Sequence, residues 1–90
     1  MDANLIARMP AHIRRLATEI TNFDLQWTAN MRPSDNISRK RLRLAFWICK
    51  NQGIPPDDEN LAVIIGSKFR EVVPFITEIA RELSSGSGRF

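Results

Sequence analysis

Residues 55–83 carry the tightest local constraint in the chain. Pro55 and Pro56 keep the backbone extended, and Asp57 follows where a carboxylate can accept an orphan N–H of a first helical turn. Leu61, Ala62, Val63, Ile64 and Ile65 make an apolar run that stops at Gly66. Glycine is the residue that a left-handed or close-packed turn favours. Ser67 stands where it can cap a following helix, with Val72, Val73, Ile76, Ile79, Ala80 and Leu83 as the buried side of that helix. Pro74 falls inside it, removes the hydrogen bond to Arg70 and implies a kink or a distorted first turn. The stretch therefore predicts a helix, a tight turn and a second helix.

Ala62, Gly66 and Val72 have the spacing A-x3-G-x5-V, which resembles a helix-turn-helix unit. Leu61, Ile65 and Phe75 fall where such units bury apolar residues. The physical logic is compact: a small residue admits the second helix, glycine makes the turn, and a β-branched residue locks the pair.

The rest of the chain reads as more helix. Ile13, Leu16, Ala17 and Ile20 make an i, i+3, i+4, i+7 stripe, which predicts a first amphipathic helix over 4–22, with Pro10 suited to a first helical position. His12 lies off the stripe, on the solvated flank. Phe23 and Trp27 are four apart and meet on one helix face, either as core or, if exposed, as a partner surface. Residues 32–38 are rich in turn formers, and Ser34 or Ser38 can cap the helix that follows to about Lys50. That helix carries two apolar stripes: Leu42, Ala45, Phe46 and Cys49 on one side, Leu44, Trp47 and Ile48 on the other. So wide an apolar arc belongs to a central helix. Gly53 ends it, and the tail at 84–90 reads as flexible or as the start of a hairpin.

Ninety residues make one domain with a modest core, expected to be all-α with four to five helices. The helix-turn-helix core is placed at about 38–83. The longest apolar runs, 44–49 and 61–65, are far short of the ~20 residues that span a bilayer. No signal pattern opens the chain, so a cytoplasmic location is expected. The single cysteine, Cys49, reads as a buried small hydrophobe in a reducing compartment. No nucleophile–base pair, metal-ligand spacing or phosphate loop stands out, so neither an enzyme, a cofactor nor a small-molecule substrate is expected.

Charge is unevenly distributed. Residues 1–50 hold nine Lys/Arg against four Asp/Glu, and residues 51–90 hold four against six. Arg39, Lys40, Arg41 and Arg43 crowd the start of the central helix, where the helix dipole disfavours positive charge. The cluster is either a solvated face or a surface for phosphate or an acidic protein patch. On the first reading of its charge, replacing Arg41 and Arg43 by Gln leaves folding intact or slightly improves it.

Residues 37–90 resemble the N-terminal winged-helix domain of phage-associated YdaU-type proteins, often found beside replication genes. The resemblance rests on the Leu/Trp-rich helix at 39–50, on Gly53-x-Pro55-x-Asp57-Asp58-x-x-Leu61-Ala62, and on Glu71-Val72-Val73-Pro74-Phe75-Ile76. It departs from that pattern because the chain stops where the β-hairpin wing would begin, so the wing is truncated or absent. The resemblance implies a DNA-binding module, with Arg39, Lys40, Arg41, Arg43, Lys68 and Arg70 as the nucleic-acid-binding residues and Arg14 and Arg15 adding affinity. The alternative is a protein-interaction or assembly module that binds no nucleic acid, with Phe69, Val73, Pro74 and one tryptophan as its apolar surface. The two separate on whether the Arg39–Arg43 side chains share a face with Lys68 and Arg70.

Overall fold

A computed structural model describes residues 3–28, 31–32 and 34–87, and these contain helices and turns but no strand. The helices are α1 (Ala3–Arg8), α2 (Ala11–Leu25), α3 (Asp35–Gln52), α4 (Asp58–Ile65), α5 (Phe69–Val72) and α6 (Ile76–Glu82). Two 3-10 turns, Gly66–Lys68 and Val73–Phe75, join the last three into one broken helical run. A π turn, Leu83–Ser87, closes it. The tail read from sequence as flexible, or as a hairpin start, is thus helical to Ser87, and residues 88–90 lie outside the described residues.

Local chemistry sets most of the boundaries. Ser34 caps α3, its hydroxyl accepting from the Ile37 N–H at 3.2 Å. Gly53 ends α3 in the left-handed region at φ 66°. The Ile54 N–H then donates to the Cys49 carbonyl at 2.9 Å, and Ile54 folds back onto the core beside Cys49. Asp57 caps α4 through the Asn60 N–H at 2.9 Å. The Asn60 side chain donates to the Pro55 carbonyl at 2.8 Å and fixes the approach to that helix.

Four expectations need correction. The first helix is two, because Pro10 is extended (φ −66°, ψ 163°) and stands before α2 rather than in its first turn. Its carbonyl accepts from both Ile13 and Arg14 at 3.0 Å. Ser67 caps nothing: it lies inside the 3-10 turn that Gly66 opens at φ 73°, and α5 starts without a side-chain cap. Val73 is exposed rather than buried, since the 3-10 turn that accommodates Pro74 begins there. Finally, α3 starts at Asp35, so Arg39 to Arg43 lie beyond its first turn, where the dipole acts only weakly.

The core is organised on the two sides of α3. Leu42, Ala45, Phe46 and Cys49 pack with Leu61, Val72 and Ile79 from α4 to α6. Trp47 and Ile48 pack with Leu5, Met9 and Ile13 from α1 and α2, and Leu44 lies against that cluster. Ile64 touches both clusters. The two stripes read on α3 are therefore its two packing faces. Both α2 and α4 run antiparallel to α3, which puts their N-termini beside the α3 C-terminus.

Gly66 has φ 73° and ψ −140°, a conformation open to glycine and strained for a β-branched residue. A Cβ there meets nothing within 4 Å, so the cost is carried by the backbone alone. Gly66→Val should lower unfolding stability by about 1–3 kcal/mol in a urea titration. An unchanged midpoint would show that the turn relaxes freely.

Candidate functional site

The guanidinium of Arg41 is buried at 7% exposure in the middle of α3. It forks onto Asp24 near the end of α2, Nη2 to Oδ1 at 2.7 Å and Nη1 to Oδ2 at 3.2 Å. Two parallel charge-assisted bonds of this kind are the strongest arrangement an arginine makes. Lys68, from the turn after α4, donates to the same Asp24 Oδ1. On the other side the Arg41 Nε lies 3.8 Å from Oε2 of Glu71 on α5, close enough for attraction and too far for a hydrogen bond. Both atoms are buried without a hydrogen-bond partner.

Aromatic rings back the two cations. The Phe23 ring lies 5.9 Å from the Arg41 guanidinium carbon and the Trp27 ring 5.7 Å from the Lys68 ammonium. The rings meet edge to face at 5.5 Å. Phe23 is half-buried and Trp27 exposed, so the pair is neither wholly core nor a free patch. Beside the cluster an apolar cleft of about 240 Å³ opens between α2, α3 and α4, with Ile20, Ile48 and Ile64 in its walls.

Three further cations of α3, Arg39, Lys40 and Arg43, are also matched. Arg39 pairs with Glu78 at 3.2 Å and lies 4.8 Å over the Phe75 ring. Arg43 pairs with Glu82 at 3.0 Å. Each set is four apart, so α6 runs parallel to α3 with a two-rung ionic ladder between them. Lys40 pairs with Glu19 on α2. Of the six residues singled out from sequence, Arg70 alone is exposed with no ion pair to a described residue. Arg41 and Lys68 do share a face, but Asp24 and Glu71 occupy it, while Arg39 and Arg43 turn toward α6.

Sequence reasoning missed the carboxylates. Asp24, Glu71, Glu78 and Glu82 reach their partners across 17 to 44 residues of chain or from a helix 39 residues on. The available signals were the aromatic pair flanking Asp24 and the i, i+4 match of Arg39 and Arg43 with Glu78 and Glu82.

Arg41 holds the Asp24 carboxyl down to about 2, with Lys68 helping and partial burial opposing. Burial pushes the Cys49 thiol up, with the Asp57 carboxylate adding to the effect. Among the described residues no group of His, Cys, Asp and Glu is placed to hold a metal, and no helix is long and apolar enough to cross a membrane. Comparison with protein families, curated proteins and solved structures finds no match.

The burial of Arg41 reverses the expectation for its replacement. Arg41→Gln removes the partner of two carboxylates and should destabilise the fold, toward the low end of the ~3–5 kcal/mol for breaking a buried pair, because Asp24 stays partly in water. Arg43→Gln, at an exposed pair, should change stability by less than about 1 kcal/mol. Equal effects in urea titrations would contradict this ranking. Because the folded-state value of Asp24 lies below the unfolded one, its contribution is complete above about pH 4 and is lost as pH falls toward 2. Asp24→Asn should flatten the acid limb of the stability curve in that window.

Proposed function

We propose that this chain is a protein-interaction or assembly module, with no catalytic step of its own, built on a helix-turn-helix-like pair of α4 and the α5–α6 run. One observation carries this reading. Five of the six cations that would hold phosphate are already matched by carboxylates of the same chain. Meanwhile Leu25, Trp27, Val63 and Val73 stand exposed. Phosphate binding by that cluster requires breaking ion pairs that position α2, α5 and α6, a cost no free phosphate-binding surface carries. The second helix of the pair is interrupted at Val73–Phe75, which suits a docking surface better than a straight helix reading a major groove.

A second reading, DNA binding of the kind the YdaU-type resemblance implies, is favoured by a different observation. Arg8, Arg14 and Arg15 on α1 and α2 are exposed and make no ion pair with a described residue, as is true of Arg70. The five matched cations and their five carboxylates cancel, so the formal +3 of the chain resides elsewhere. Such a surface gives sequence-independent attraction to a polyanion and no base readout.

A salt series with duplex and single-stranded DNA separates the two. The assembly reading expects duplex binding no tighter than the ~10⁻⁴–10⁻⁶ M of non-specific contacts, with a salt slope that Arg43→Gln leaves unchanged. Nanomolar binding whose slope falls by roughly 0.9 on Arg43→Gln would overturn it in favour of DNA.

A further inference from the structure

Two exposed faces among the described residues have complementary chemistry. The first is a groove of about 590 Å³ between α1 and α2, lined by Ile6, Met9, Ala17, Thr18 and Arg14. Its floor is largely apolar and Arg14 supplies a cation at its rim; Arg14 is exposed and has no ion pair with an acid among the described residues. The acids of α2, Glu19 and Asp24, are both turned toward other cations. The second face is the outer side of α4. Glu59 and Val63 are four residues apart there and stand one above the other. Val63 is 78% exposed, and α4 contains no cation.

We infer that the outer face of α4 docks into the α1–α2 groove of a second copy of this chain, Val63 entering the apolar floor and Glu59 meeting Arg14 at the rim. The inference rests on the assembly reading above and names its partner. Charge and apolarity select the occupant: the groove suits an acidic helix face with a protruding apolar side chain, and this chain presents one in Glu59 and the 78% exposed Val63. Arg14 and Glu59 each lie in the first turn of their helix, and α2 and α4 both begin beside the C-terminus of α3, so the two charges sit toward the same end of the bundle. A two-fold axis near that end then satisfies both contacts at once and closes the assembly as a dimer rather than an open chain.

The test is sedimentation of the full chain over a wide range of concentration and salt, with Arg14→Glu, Glu59→Arg and the two combined. Both substitutions are at exposed positions, and helicity by circular dichroism checks that each variant folds. The expected result is a dimer that salt weakens, whose dissociation constant rises by about tenfold or more with either single reversal and recovers in the combined variant. Val63→Asp should also dissociate it. A parent that is monomeric throughout would overturn the inference, as would a dimer indifferent to the single reversals or one that the combined variant fails to restore. A monomer that instead binds a synthetic acidic amphipathic peptide through Arg14 would also overturn it, while leaving the assembly reading standing with another partner. Tight DNA binding in the salt series is the separate result that removes that reading.

Discussion

Arg41 points into the interior from the middle of the longest helix, and a guanidinium there must be met by carboxylates or the helices around it cannot close. Desolvating an ion costs several kcal/mol, which only good geometry and an opposite charge offset. Asp24 supplies both, and in doing so fixes the end of α2 against α3. Lys68 reaches the same carboxylate and brings in the turn after α4. One acidic residue thus joins three segments of the chain that are far apart in sequence.

That junction explains how the two halves of the core stay in register. Each apolar stripe of α3 tolerates sliding, because hydrophobic contact is not directional. The forked Arg41–Asp24 pair does not tolerate it, and the Arg39–Glu78 and Arg43–Glu82 rungs set the parallel alignment of α6 in the same way. The exposed rungs add little energy individually. Their consequence is that Arg39, Lys40, Arg41 and Arg43 are part of the scaffold, while Val63 and Val73 stay exposed.

What could be read from sequence was what short-range rules determine. Ser34, Gly53, Asp57 and Gly66 act within a few residues of themselves, and each bounds a helix as its chemistry requires. The two stripes of α3 follow from helical periodicity alone. The break at Pro10 was harder, since a proline suits either the first turn of a helix or the residue before it. Ser67 looked like a cap because a serine after a glycine often is one, yet it falls inside the 3-10 turn that Gly66 begins and caps neither that turn nor α5. The basic cluster was visible as composition, but its partners lie in other helices, and no local pattern states which carboxylate will meet which cation. An expectation of free charge therefore became a finding of paired charge.

The ion cluster depends on Asp24 as its shared anion. Carboxyl-carbon NMR follows its titration directly, in the parent chain and in Arg41→Gln. The expected result is an Asp24 midpoint near 2 in the parent, moving up toward the ordinary aspartate value near 3.8 when the guanidinium is removed. An Asp24 that titrates at its ordinary value in the parent, or that does not respond to the loss of Arg41, would contradict the central place given to this ion cluster.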